Sequence, residues 1–238
     1  MQPLGKLFLI PCTLGDTNPL EVLPLLVKKA VEDIDIFIVE NEKNARRFIK
    51  SICPKKSQPN INFSIINKYT DDSEIPEMLI PCLQGQNIGV ISDAGCPGIA
   101  DPGAAVVEQA HLKGINVVPL VGPSSILLAM MASGFNGQNF SFNGYLPIEK
   151  RERKLEIKRL ERISGEQQQS QLFIETPYRN NQMLEMLTRV NNKETQVCIA
   201  KNITAPDQKI ITRSIKQWKN ETIDLHKIPT VFLLYAGS

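Results

Sequence analysis

The sequence is poor in the side chains that build metal centres and covalent staples. It has two histidines, His111 and His226, and five widely spaced cysteines: Cys12, Cys53, Cys82, Cys96 and Cys198. No C-x-x-C pair occurs and neither histidine neighbours a cysteine. A zinc site needs close-set ligands, and a disulfide scaffold needs an even count, so neither is expected. Scattered free thiols fit a reducing compartment. Long apolar runs are missing too. None nears the ~20 residues that span a bilayer, and the start, Met-Gln-Pro-Leu-Gly-Lys, lacks the basic and apolar regions of a secretory signal. A cytoplasmic protein is expected. An excess of one charge is also lacking: 27 Lys+Arg stand against 25 Asp+Glu. Composition alone therefore names no polyanionic partner. Two phosphate-binding loops are absent. Pro11-Cys12-Thr13-Leu14-Gly15-Asp16 stands where a G-x-G-x-x-G would follow the first apolar run, and no G-x-x-x-x-G-K-[ST] occurs. A nicotinamide-binding Rossmann domain and a P-loop NTPase are disfavoured.

What is present is an ordinary globular mix, 42% hydrophobic over 238 residues, enough for two modest domains. The first half alternates short apolar runs with helical spacing. Strands are expected at 7–10, 34–39, 61–66, 88–91 and 117–121. Asn18-Pro19-Leu20-Glu21 reads as a cap, a proline at the first helical position and an acid in the first turn. Pro24 starts or bends the helix that follows. Asn41 can cap the next one, whose Ala45, Phe48, Ile49 and Ile52 share a face and which Pro54 stops. Helices are also expected at 75–83, from Pro102 to near Gly114, and at 124–132. Strand–helix units with wholly apolar strands predict a parallel sheet covered on both faces. Residues 135–147, rich in glycine, asparagine and phenylalanine, read as a linker. Beyond it come a charged helix at 149–163, a helix at 182–190, and strands at 172–174, 197–200, 209–213 and 231–235. The expected plan is α/β in two αβα domains: 1–134 on a mostly parallel sheet, and 148–238 on a mixed one.

Ligands of open α/β sheets bind beyond the carboxyl ends of the strands. Such a loop follows 88–91: Ser92-Asp93-Ala94-Gly95-Cys96-Pro97-Gly98-Ile99-Ala100-Asp101-Pro102-Gly103. It is dense in glycine and proline, and it feeds a helix whose cap is Asp101. Backbone amides there can meet a carboxylate, with Asp93 beside them. The plain alternative is a tight turn into a capped helix. The loop is longer than the ~2–6 residues a bare connection needs, and a second junction, Val121-Gly122-Pro123-Ser124-Ser125, follows the next strand.

The Ser-Asp-Ala-Gly-x-Pro-Gly-Ile-x-Asp-Pro-Gly run with the later Gly-Pro-Ser closely resembles the tetrapyrrole methylase superfamily, the class III methyltransferases. Phe142-Asn143-Gly144-Tyr145-Leu146-Pro147 is similar to the Phe-x-Gly-Phe-Leu-Pro of the branch that contains small-subunit ribosomal RNA cytidine 2′-O-methyltransferases. Glu175-Thr176-Pro177-Tyr178-Arg179 is similar to that branch's Glu-Ser-Pro-His-Arg. The resemblance runs over nearly the whole chain. It implies S-adenosylmethionine in a cleft between the two domains, a homodimer, and transfer of a methyl group to RNA, a ribose 2′-hydroxyl of ribosomal RNA in this branch. It also implies cofactor contacts from Thr13 and Leu14, from Ser92, Asp93, Ala94, Gly95 and Pro97, from Ser124 and Ser125, and from Thr176 and Ala200. Three segments depart from the branch. Pro11 to Asp16 stands for Thr-Pro-Ile-Gly-Asn, Glu40-Asn41-Glu42-Lys43 for Glu-Asp-Thr-Arg, and Lys201-Asn202-Ile203-Thr204-Ala205 for Arg-Glu-Leu-Thr-Lys. Most of these departures lie where a substrate rather than the cofactor would be contacted. The chain ends at Ala236-Gly237-Ser238, where close members continue.

A hydroxyl acceptor needs a general base. Glu175 and then Glu40, each at a strand end, are the candidates. The plain readings are a partner for Arg179 and an acid near a helix N-terminus. Lys150, Arg151, Arg153, Lys154, Lys158, Arg159 and Arg162 form a basic cluster, but Glu149, Glu152, Glu156 and Glu161 are interleaved, so a salt-bridged helix is the favoured reading over an RNA-contacting one. Lys43, Arg46 and Arg47, on the solvent side of their helix, can add to a patch. Trp218, Tyr145 and Tyr178 can stack on bases, though core or interface roles are commoner for such aromatics. A small-molecule acceptor such as a tetrapyrrole, and a cofactor-binding module without catalysis, stay open beside the RNA reading.

Overall fold

The computed structural model describes residues 3–237. Contacts divide the chain into two units, residues 1–124 and 125–238.

In the first unit the elements run β1 (Lys6–Ile10), α1 (Pro19–Val22), α2 (Leu25–Asp33), β2 (Ile36–Val39), α3 (Glu42–Ile52), β3 (Asn62–Ile65), α4 (Ile75–Met78), α5 (Ile80–Leu83), β4 (Ile88–Ile91), α6 (Gly103–Leu112) and β5 (Asn116–Pro119). The sheet order is β3-β2-β4-β1-β5, and every pair is parallel. Alternate residues of each strand feed opposite faces. Ile10, Phe37 and Val39 pack with Val27, Val31, Phe48 and Ile49 of α2 and α3. Leu7, Ile38, Ile88 and Val90 pack with Leu79, Val106 and Ala110 from the opposite layer. Two apolar faces per strand are why the runs carry no polar alternation. Local chemistry sets the ends: Asn18 accepts from Leu20 N and Asn41 from Asn44 N. Pro24 separates α1 from α2, and the helix expected over 75–83 is split into α4 and α5, each with a proline in its first turn.

The second unit holds α7 (Ser125–Ser133), β6 (Phe140–Tyr145), α8 (Lys150–Gln167), β7 (Ser170–Ile174), α9 (Asn180–Val190), β8 (Gln196–Lys201), β9 (Lys209–Ser214), α10 (Ile215–Trp218) and β10 (Thr230–Tyr235). Its sheet is mixed, in the order β6-β7-β10-β8-β9, with β6 parallel to β7 and the remaining pairs antiparallel. Phe173 stacks on Phe232 with centroids 5.8 Å apart, over a core of Ile157, Leu160, Met183, Leu187 and Trp218.

Two boundaries differ from the sequence reading. Residues 135–147 are not a bare linker, because β6 lies within them and pairs with β7. Its residues, Phe-Ser-Phe-Asn-Gly-Tyr, carry a glycine at φ +60° and a register shift between Phe142 and Tyr145, which disguise a strand as a loop. The first unit stops at Ser124 rather than Gly134. The helix after Gly-Pro-Ser packs on β8, β9 and β10, and Thr212 Oγ1 donates to its Ser133 O at 2.7 Å.

Candidate active site

β4 lies at the centre of the first sheet, flanked by β1 and β2, so its carboxyl end meets the loop after β1. The two loops are sewn together. Cys12 N donates to Gly95 O at 3.0 Å and the Cys12 thiol donates to Ser92 O at 3.0 Å. Burial pushes that thiol's pKa up to about 12, against the Ser92 and Gly95 hydrogen bonds. Ser92 is 6% exposed, and its hydroxyl donates to Ala94 O and Gly95 O. Gly95 stands at φ +74°, where a Cβ would lie 3.1 Å from Leu14 Cδ2 and 3.4 Å from Pro123 O. The loop after β5 closes from the third side. A Cβ on Gly122 would fall 2.2 Å from Pro11 Cβ, and the Cys96 thiol donates to Pro123 O at 3.4 Å. Asp101 Oδ1 ties the far end by accepting from Gly98 N at 2.8 Å and Gly103 N at 2.7 Å. Burial raises the Asp101 pKa against those two bonds, and its Oδ2 is buried without a partner.

Asp93 leaves this framework and is exposed. Its backbone N–H donates to Glu40 Oε1 at 2.9 Å, and its Oδ1 accepts from Asn44 Nδ2 at 3.0 Å. Asn44 Oδ1 in turn accepts from Arg47 Nη2 at 2.7 Å. A guanidinium and a carboxylate thus flank one amide. Glu40, at the end of β2, has its pKa raised first by burial, against the Asp93 N–H bond, with the charges of Asp101 and Asp93 adding to the rise. Thr13, Leu14, Ser92 and Asp93 line a pocket of about 390 Å³ together with Thr17, Asn44 and Arg47, among others. Thr17 Oγ1 there is buried without a hydrogen-bond partner. Ala94, Gly95 and Pro97 continue the same loop, and Ser124 ends this unit.

Ser125, Glu175, Thr176 and Ala200 belong to the second unit. Ser125 opens α7. Ala200 is fully buried inside β8, opposite Val231 on one side and Ile210 on the other. Glu175 follows β7 and is 4% exposed. Its Oε1 accepts from Thr176 N at 2.6 Å and Arg179 Nη2 at 2.7 Å, while Oε2 lies 3.6 Å from Arg153 Nη1. A base must reach the proton it takes. This enclosed carboxylate instead holds Thr176 and two arginines in place, so its geometry matches the partner reading rather than the base reading.

Sequence reasoning missed Asn44, Thr17 and Cys12, and placed Arg47 only on a solvent face. The available signal was position, since the first turn of a helix entered from a strand's carboxyl end faces the same side as the loop. Tyr178 is 67% exposed, whereas Trp218 is a core residue at 3% that donates to Val197 O. Among the described residues, no helix is long and apolar enough to cross a membrane, and no group of three or more His, Cys, Asp or Glu could hold a metal.

Residues 13–218 match the family model of tetrapyrrole (corrin/porphyrin) methylases. The chain is 28% identical to the ribosomal RNA small subunit methyltransferase I of Bacillus subtilis (strain 168), over 92% of this chain and 71% of that one. It is 29% identical to the protein of the same name from Thermotoga maritima, over 90% of each. It spans 65% of the Vibrio cholerae relative. Among solved structures, the methyltransferase CobJ superposes with a TM-score of 0.64 at 18% identity, covering 97% of this chain and 94% of that one. Uroporphyrin-III C-methyl transferase from Thermus thermophilus, complexed with S-adenosylhomocysteine, superposes with 0.56 at 13%, covering 97% of each. The chain belongs to the tetrapyrrole methylase family and is an S-adenosylmethionine-dependent methyltransferase.

Proposed function

We propose that the protein methylates a ribose 2′-hydroxyl of ribosomal RNA, with S-adenosylmethionine held at the strand-end pocket of the first unit. The observation that carries this placement is the Arg47–Asn44–Asp93 chain. It sets one guanidinium and one carboxylate on either side of an amide, which suits the carboxylate and ammonium of an amino-acid moiety. The pocket volume of about 390 Å³ falls within the ~300–1,000 Å³ of small-molecule sites. The buried, unpartnered Thr17 Oγ1 adds a group for a ligand to satisfy. Bound there, the cofactor supplies a methyl group already activated by its sulfonium. The chain's own work is to hold and align it and to keep water out. Gly95 and Leu14 shape the wall, and Ser92 fixes the loop. Ser124, Ser125, Thr176 and Ala200 are assigned to the cofactor on family resemblance.

Of the two acids, Glu40 suits proton transfer better. It sits beside the pocket, and its raised pKa makes its ionised form a stronger base than an ordinary carboxylate. Glu175 acts as the positioning residue for Thr176. The RNA acceptor is supported by the names of the relatives and by the retained motifs at 142–147 and 175–179. A cytoplasmic homodimer goes with this reading. It is supported by the family resemblance and by the free thiols. Sedimentation of the purified protein tests the dimer.

Incubation with methyl-tritiated cofactor and either small-subunit ribosomal RNA, assembled small subunits or a uroporphyrinogen tests the acceptor. Label is expected in the RNA, in dinucleotides that resist alkali because the 2′-oxygen is blocked. Label confined to the tetrapyrrole overturns the RNA acceptor.

A further inference from the structure

The two ends of α8 use their charges differently. In its later turns Lys158 pairs with Glu161, Arg159 with Glu156 and Arg162 with Glu166. In its first turns Lys150, Arg151 and Lys154 form no ion pair among the described residues. The remaining base of that end, Arg153, is 3% exposed. Its Nη2 donates to Ile148 O at 2.9 Å, while Nε and Nη1 make no hydrogen bond. The buried Arg153 and the partly exposed Arg179 share the carboxylate of Glu175, which lies 3.6 Å from Arg153 Nη1. Leaving a buried charge uncompensated is costly. Guanidinium N–H groups without acceptors add to that cost.

Beside Arg153 lies a pocket of about 290 Å³. Lys150 and Arg153 of α8 line it with Gln182, Glu185, Met186 and Arg189 of α9. Glu185 is already engaged by Arg189 at 2.6 Å. The surplus of charge in the pocket is therefore positive, with Lys150 at the rim and Arg153 in the wall. A lysine ammonium beside a planar guanidinium is the pair that holds a phosphate.

We propose that this α8–α9 pocket binds a phosphate group, and that the group is a backbone phosphodiester of the RNA acceptor; the second half rests on the acceptor reading above. Such a contact positions the RNA without reading its sequence. It also accounts for a helix whose later bases are neutralised by neighbours while its first ones are not.

Two titrations of the full chain decide it. Inorganic phosphate is followed by amide shifts in nitrogen-labelled protein. Affinity for small-subunit ribosomal RNA is measured across a salt series for wild type, Lys150→Gln, Arg189→Gln and, from the paired part of α8, Arg162→Gln. Phosphate is expected to shift amides at 150–154 and 182–189, and Lys150→Gln to abolish those shifts. RNA affinity is expected to fall about fivefold to tenfold in Lys150→Gln, and likewise in Arg189→Gln, which leaves the Glu185 carboxylate unpaired in the pocket, with the slope of log affinity against log salt smaller by about one. Arg162→Gln stays within about twofold of wild type, and S-adenosylhomocysteine binds all variants alike. Absence of phosphate shifts overturns the pocket. Phosphate shifts with unchanged RNA affinity overturn its assignment to the acceptor backbone. Phosphate binding in a wild-type protein that holds no RNA leaves the pocket standing and sinks the RNA reading instead.

Discussion

At Gly95 both the dihedral and the space belong to glycine. A φ of +74° strains any L side chain, and Leu14 Cδ2 already stands 3.1 Å from where its Cβ would be. Gly95→Leu is expected to weaken S-adenosylhomocysteine binding about fivefold to thirtyfold, if the ~1–2 kcal/mol of the φ cost falls on the bound loop. Isothermal titration measures it. A folded variant that binds as well as wild type would remove the cofactor from this loop. Glu40 gives a pH prediction. Its pKa is raised by burial first, and by Asp101 and Asp93 in addition. A carboxyl with a raised folded pKa holds its proton more tightly when folded. Its stabilising contribution is therefore complete below the ordinary carboxylate range and is lost as pH rises through the folded value. Glu40→Gln keeps an acceptor for Asp93 N–H and removes the charge. Its melting temperature, relative to wild type, is expected to climb as pH rises above the ordinary carboxylate range of about 4. A flat difference would show that the pocket does not perturb Glu40.

Among the elements, α3 ties stability to the site. Asn41 caps it, and Asn44, in the first turn, carries the hydrogen bond to Asp93. Asn41→Ala is expected to cost about 1 kcal/mol in urea unfolding and to weaken cofactor binding with it. Loss of stability without loss of binding would separate the cap from the pocket. Elements such as this one were legible in the sequence because their signals are local. The caps at Asn18 and Asn41, the proline at 24 and the wholly apolar strands each declare themselves within a few residues. β6 did not, because Gly144 and a register shift break its alternation. The loop after β4 was legible from its glycines and prolines. Its link to α3 was not, because Glu40 and Asn44 lie 53 and 49 positions from Asp93, and no local pattern encodes a contact that the sheet order creates. The two fates of the basic residues on α8 were hidden for the same reason, since burial of Arg153 depends on β7 and α9.

For the molecule as a whole, strand–helix alternation suggested that the helix at 124–132, closed by Gly134, ends the first domain, yet α7 packs on the second sheet. A fragment of residues 125–238 is therefore expected to unfold cooperatively in urea, and one of residues 135–238 to be less stable by at least about 2 kcal/mol, the worth of the Met130 burial it loses. Equal stability would return α7 to the first unit. The meeting of Pro11 and Gly122 has a longer reach. A Cβ on Gly122 would fall 2.2 Å from Pro11 Cβ, so no side chain fits between two loops that lie on either side of nearly the whole first unit. The two positions are therefore coupled: a side chain at 122 fits only if position 11 gives up its Cβ along with its ring, or if the two backbones move apart.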